Sequence, residues 1–273
     1  MPQYDKVFDC IKAIFTYYAE RTDILKTLSI DYLLKKNAMD IDCIATLAKL
    51  QNANNVDYAQ QIMVIVRSFI ESSILFIFLL KNKEYRIQYQ QDSQLLLFKN
   101  AFMEYKYALT SKFDTLMAQS GFTKELLQQG MIDTYNNLSD SNKTRILTEI
   151  QQTEFVFVQT TISKLDDFLK KFKPISFRVR TMWKYLNAGI EINGKTIEDL
   201  TKLDYNTASQ FTHNIYPLHR PCIYDAARIC FSLANITCAI IKDEYKQEVS
   251  DDVRQQIFNA YIILHPEDSN QIQ

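Results

Sequence analysis

The chain has 273 residues, 47% of them apolar, which is enough for a substantial core and too apolar for a disordered polypeptide. Its formal net charge of −1 excludes a strong global attraction to nucleic acid or to an anionic membrane and leaves only local patches. Four glycines, against an ordinary usage of about 7%, exclude folds that need many tight turns, and no proline stands between Pro2 and Pro174.

An all-α multi-helix bundle is therefore the expectation. Tyr4 to Glu20 carries Val7, Phe8, Ile11, Ile14, Phe15 and Tyr18 at the spacing of one buried helical face. A short helix over Asp23–Lys35 and another over Asp40–Leu50 follow. The polar run Gln51–Asp57 then leads into an apolar helix at about Tyr58–Lys81. A further long helix is expected over Leu95–Met117, separated from the preceding one near Asp92 and Ser93. Ala118–Lys143, with two glycines and several Asn, Ser and Asp residues, reads as a looped connection holding one short helix. Arg145–Phe172 reads as one long helix whose end carries Lys170, Lys171 and Lys173, cations that suit the negative end of the helix dipole.

Beyond Pro174 the segment mixes β-branched, aromatic and basic residues and ends in the turn signal Ile192-Asn193-Gly194-Lys195. Thr196 is three residues before Asp199, the spacing of a helix cap, and the helix it opens runs to about Asn214. Helices over Tyr224–Ile241 and Val253–Leu264 complete the chain. The expected grouping is an N-terminal helical segment over 1–50, a bundle over 51–245, and a C-terminal helix with its tail over 246–273.

The five cysteines, Cys10, Cys43, Cys222, Cys230 and Cys238, form no C-x-x-C pair and read as buried free thiols of a reducing compartment. Met1–Cys10 lacks a basic region followed by an apolar run, so a cytoplasmic location is expected. Ile62–Leu80 is apolar enough to approach a bilayer span, but Arg67 and Glu71 sit at its centre. Each mid-membrane charge costs at least about 2.5–3.5 kcal/mol, so a helix buried in a bundle is the expected state and no membrane partner is expected.

No phosphate-binding glycine loop, dinucleotide fingerprint or nucleophile elbow is present. The three histidines, His213, His219 and His265, lack the spacing of a metal-protease pair, so neither a metal site nor a cofactor is expected. Arg67 and Glu71, four apart in the most apolar helix, can pair with each other. The pair either fixes helix register as a buried salt bridge or holds Arg67 in a cleft as an anion ligand. Tyr205, Ser209 and His213 form a second polar stripe at i, i+4 and i+8, with Asn214 and Tyr216 just beyond. Lys170, Lys171, Lys173, Arg178, Arg180 and Lys184 form a run without an acid, interleaved with Phe172, Phe177 and Trp183. Such a run either guides a phosphate backbone and stacks bases or is a solvated helix end with its connector.

Val66-Arg67-Ser68-Phe69-Ile70-Glu71-Ser72 resembles the "ARxxxE"-like central helix of a bacterial HEPN-like domain family of unknown function. Tyr205 to His213 resembles its second signature, a Tyr, a Ser four residues on and a His four further. The resemblance spans roughly residues 40 to 245. It implies a HEPN-like helical core, a homodimer or a partner protein of the same system, and RNA as the target. Many such domains are metal-independent ribonucleases of toxin–antitoxin and anti-phage systems. It implies that His213 acts on the 2′-hydroxyl or the leaving oxygen while an arginine offsets the phosphorane charge. The chain departs from the family's arginine-to-histidine spacing: Asn206, Thr207 and Ala208 stand where the arginine would precede His213. HEPN-like domains without that motif are generally binding or regulatory modules, and a non-catalytic helical module binding a protein partner or a nucleotide is the alternative expectation for this chain.

Overall fold

The structure is a computed structural model that describes residues 4–21, 30–54, 57–110, 123–156, 158–192, 194–212, 223–245 and 249–267. It is all-α apart from one minimal hairpin. The helices are α1 (Tyr4–Arg21), α2 (Asp31–Asn54), α3 (Ala59–Lys81), α4 (Lys83–Ala108), α5 (Lys124–Asn136), α6 (Asp140–Ile150), α7 (Gln159–Lys171), α8 (Val179–Leu186), α9 (Ile197–Thr212), α10 (Ile223–Tyr245) and α11 (Asp251–Leu264). Between α8 and α9, β1 (Glu191–Ile192) pairs antiparallel with β2 (Lys195–Thr196), and Gly194 takes a φ of 72°, a conformation that favours glycine.

The chain divides into two compact units, one formed by residues 1–82 with 177–273 and the other by 83–176. In the first unit α3 is the central helix, in contact with α2, α8, α9 and α10. Its Phe69, Ile70, Ile74, Phe76, Ile77 and Phe78 are completely buried. A helix this apolar escapes water by packing its side chains against its neighbours, and each buried side chain of this size contributes about 1.5–3 kcal/mol. Phe15 of α1 meets Phe69 edge-on at 5.4 Å, and Phe177 tilts against Phe78 at 4.7 Å. Both α3 and α10 are long and apolar enough to cross a membrane by length and composition, and most of each is buried inside the unit.

The second unit has its own core. Leu95, Phe98 and Phe102 of α4, Met131 and Tyr135 of α5, Ile146 and Ile150 of α6, and Leu165 and Leu169 of α7 pack together. Tyr135 stacks on Phe155 at 4.1 Å. Two buried carboxylates tie this unit together. Asp92 accepts a hydrogen bond from the Ile175 backbone N–H at 2.7 Å, and Asp166 takes the ammonium groups of Lys106 and Lys170, each at 2.6 Å.

Five sequence expectations need correction. Lys36–Met39 is not a gap between helices, because α2 runs unbroken from Asp31 to Asn54 and buries Leu34, Asn37, Ala38 and Ile41 in succession. Asp92 and Ser93 do not separate two helices but lie inside α4, where the Asp92 carboxylate accepts from the Ile175 backbone N–H. The stretch around Gly130 is helical, with Thr123 capping α5 and Ser139 capping α6 through their side-chain oxygens. Arg145–Phe172 is two helices: α6 closes at Gln151, left-handed at φ 55°, and α7 starts only at Gln159. Cys43 is exposed, whereas Cys10, Cys230 and Cys238 are buried, and Cys222 lies outside the described residues. The Thr196 cap stands as expected: Asp199 N–H donates to Thr196 Oγ1 at 3.2 Å while Thr196 N–H donates to Asp199 Oδ2 at 3.1 Å.

Candidate functional site

Arg67 and Glu71 lie one turn apart on α3, at the side of the helix turned towards α9. Arg67 Nε donates to Glu71 Oε1 at 2.9 Å. The arginine side chain is 21% exposed and the glutamate 42%, so the pair sits at the edge of the core with its acid turned outward. Tyr205 arrives from α9, and its hydroxyl donates to the same Glu71 Oε1 at 3.3 Å. The Arg67 guanidinium lies 5.7 Å from the centre of the Tyr205 ring, within cation–π range. Burial works against the arginine's charge, but Glu71 and Tyr205 outweigh it and hold the guanidinium above its ordinary pKa. Arg67 is thus a permanent cation fixed in direction by a carboxylate and a phenol from a distant segment.

Trp183 of α8 supports this arrangement. It packs edge-on against Tyr205 at 5.6 Å, and its indole N–H donates to Thr201 Oγ1 at 3.0 Å. Ser209 follows Tyr205 by one turn on α9 and is half-buried. Among the described residues it makes no hydrogen bond to Arg67, Glu71 or Tyr205. His213, Asn214, Tyr216 and His219 lie outside the described residues.

Further polar groups lie on the helices around α3. Lys36 of α2 bridges Asp40 at 2.6 Å and the Ser68 hydroxyl at 2.8 Å, next to Arg67 in the chain. Asn37 is fully buried, accepts from Ser72 Oγ and donates to Ser73 Oγ at 3.1 Å. Arg228 of α10 pairs with Asp204 of α9 at 2.9 Å. The Lys36–Asp40 spacing was visible as an i, i+4 pair; nothing in the sequence points to the Arg228–Asp204 contact or to Trp183 as a support for Tyr205.

The basic run divides between the two units. Lys170, Lys171 and Lys173 belong to the second and Arg178, Arg180 and Lys184 to the first, and all six are exposed. Lys170 is engaged by Asp166, and Lys171 lines a depression of about 400 Å³ with Arg145 and Lys164. The aromatics of the run are turned inward: Phe172 and Trp183 are buried, and Phe177 packs on Phe78. Buried rings cannot stack on bases, so that part of the expectation falls while the exposed cations remain.

The chain matches the family of unknown function DUF5677 over residues 44–217, a span that takes in both the Arg67–Glu71 and the Tyr205–Ser209 stripes. No curated protein and no solved structure matches it. A match over more than half of its length makes the chain a member of the DUF5677 family.

Proposed function

We propose that this protein is a HEPN-like, RNA-directed protein of a bacterial defence or toxin–antitoxin type system. In this reading it works in the cytoplasm as a metal-independent endoribonuclease, as a homodimer or with a partner of the same system. The carrying observation is the meeting of two segments far apart in the chain: the Tyr205 hydroxyl on the Glu71 carboxylate that holds Arg67. Arg67, Glu71, Tyr205, Ser209 and His213 would form the site, with Lys170, Lys171, Lys173, Arg178, Arg180 and Lys184 guiding the phosphate backbone.

The chemistry asked of such a site is transesterification. The ribose 2′-oxygen bonds to the adjacent phosphorus, its proton passes to the His213 imidazole, and the bond to the 5′-oxygen breaks as that oxygen takes a proton from solvent. The products are a 2′,3′-cyclic phosphate and a 5′-hydroxyl. Charge accumulates on the non-bridging oxygens, and a guanidinium already fixed by Glu71 and Tyr205 can meet it without reorganisation.

The test is to induce wild type, Arg67→Ala and His213→Ala in a bacterial host and to follow growth and total RNA. The purified proteins are then incubated with RNA in excess chelator. Wild type is expected to arrest growth and leave cyclic-phosphate ends, with both variants folded and inactive. Intact RNA with soluble wild-type protein sinks the nuclease reading.

One observation favours a second reading, a non-catalytic interaction module. Arg67 is already met by Glu71 and the Tyr205 ring, an arrangement that also serves as a clamp between α3 and α9. The departure at Asn206–Ala208 points the same way.

A further inference from the structure

The second unit contains a groove of about 400 Å³ that uses none of the residues around Arg67. It lies between α6 and α7, and its two ends differ in charge. At one end Arg145 of α6 reaches across to α7, its guanidinium 5.7 Å from the centre of the Phe168 ring and 5.5 Å from that of Phe172. Lys171 stands between those two rings in the chain and lines the same end. At the other end Lys164 Nζ donates to the Ile150 carbonyl at 3.0 Å and to Gln151 Oε1 at 3.3 Å, closing the last turn of α6. Glu149 is here, one turn on from Arg145 along α6, and Asp167 lies between Lys164 and Lys171 on α7. Lys164 and Lys171 are two turns apart, about 10 Å along the helix.

The three cations of the groove are engaged to different degrees. Lys164 is spent on the helix end. Arg145 has its nearest acid, Asp92, at 3.7 Å, beyond hydrogen-bond length, and takes its direction from the two rings. Lys170 is taken up by Asp166, but its neighbour Lys171 meets no acid or acceptor among the described residues. A guanidinium and an ammonium with donors to spare stand at one end, and carboxylates at the other. That arrangement matches a ligand with its anion at one terminus and hydroxyl donors along the rest. A phosphodiester backbone running through the groove would set a phosphate against Glu149, whereas a single terminal phosphate does not. The volume falls in the usual range of small-molecule sites, about 300–1,000 Å³.

We propose that this groove binds a ribose phosphate monoester, with the phosphate at Arg145 and Lys171 and the sugar hydroxyls donating to Asp167 and Glu149. A free pentose phosphate and a nucleoside monophosphate share that chemistry. Charge-assisted contacts to the phosphate supply the affinity, and the carboxylates reject the same ligand lying the other way round. The site does not depend on RNA cleavage at Arg67, although Lys171 serves in both readings.

The experiment is calorimetric titration of the full-length protein with ribose 5-phosphate, adenosine 5′-monophosphate, adenosine and inorganic phosphate. Saturable one-site binding of a monoester is expected, at least about tenfold tighter than adenosine or inorganic phosphate, as one charge-assisted contact would give. Tighter binding of adenosine 5′-monophosphate than of ribose 5-phosphate assigns the groove to nucleotides, and equal or weaker binding assigns it to sugar phosphates. Lys171→Gln, an exposed substitution, should weaken the monoesters about tenfold. The Glu149→Ala/Asp167→Ala double variant should lose the preference for a monoester over inorganic phosphate. Lys49→Gln, which removes an exposed cation of the first unit, should bind as wild type does. Absence of saturable monoester binding overturns the proposal, as does affinity unchanged in Lys171→Gln. Binding no tighter than that of inorganic phosphate overturns it too, and so does binding confined to RNA with a 5′-hydroxyl end.

Discussion

The carboxylates Asp92 and Asp166 of the second unit and the Arg67–Glu71 pair of the first use charge in opposite senses. In the second, the acids are inside and the cations outside: Asp92 and Asp166 have side chains only 9% and 12% exposed, while Arg145, Lys106 and Lys170 reach in from the surface. In the Arg67–Glu71 pair of the first unit the arginine is the inner member and its acid the more exposed one, unlike Lys36–Asp40 and Arg228–Asp204 beside it. Asp92 accepts a backbone N–H and Asp166 draws two surface ammonium groups onto its Oδ2, leaving its buried Oδ1 without a hydrogen bond, so both carboxylates act as staples. A cation held at the core edge by an outward-facing acid and a phenol is oriented without being sealed in. In the proposed reading, the difference separates charge used to hold a fold from charge that meets RNA.

Replacing the acids one at a time can break that distinction. The largest effect is expected from Asp92→Ala, which leaves the Ile175 N–H without its acceptor. An unsatisfied buried donor and a lost charged acceptor together cost about 2–3 kcal/mol, measured by urea unfolding followed by circular dichroism. A loss below about 1 kcal/mol would show that Asp92 is not a staple.

Asp166→Asn should destabilise less, and in a pH-dependent way. Burial pushes the Asp166 carboxyl up, but the hydrogen bonds and charges of Lys106 and Lys170 outweigh it and hold the group below the ordinary aspartate value. A depressed folded pKa means that the unfolded chain binds the proton more tightly. The stabilisation is then complete above about pH 4, where an unfolded aspartate is ionised, and disappears as pH falls through the lower folded value. The gap in melting temperature between wild type and Asp166→Asn should therefore close on acidification. A gap unchanged down to strongly acidic pH would rule out the ion-pair account.

Glu71→Gln should have the smallest effect on stability, about 1 kcal/mol or less, because the carboxylate is partly exposed and screened by solvent. Its consequence should fall on any RNA-directed activity instead, since Arg67 loses the group that aims it. A stability loss as large as that of Asp92→Ala would make the pair a structural clamp and favour the interaction-module reading.

Much of this was legible along the chain wherever the governing contact is local. The apolar run that became α3 needs no partner to be recognised, since its composition allows only a buried helix or a membrane span. Arg67 and Glu71 are one turn apart on any helix, and the Thr196–Asp199 cap closes within three residues. The errors at Asp92 and Gly130 share a cause. Polar or flexible residues were read as breaks, whereas Asp92 is kept inside α4 by an amide 83 residues away and Gly130 is carried within α5 despite its low helix propensity. At Gln151 the error ran the other way, since nothing in its side chain announces a left-handed backbone.

By itself the sequence determined the all-helical class, the central buried helix and the two polar stripes at helical spacing. Only the tertiary structure decided that Tyr205 meets the Arg67–Glu71 pair, that Glu71 joins Arg67 to Tyr205 across 134 residues of chain, and that Trp183 supports the phenol from α8. It also decided that the basic run straddles two units with its rings turned inward. Helical periodicity is written in neighbours three and four residues apart. The pairing of one helix face with another depends on how whole helices pack, and no local spacing records that.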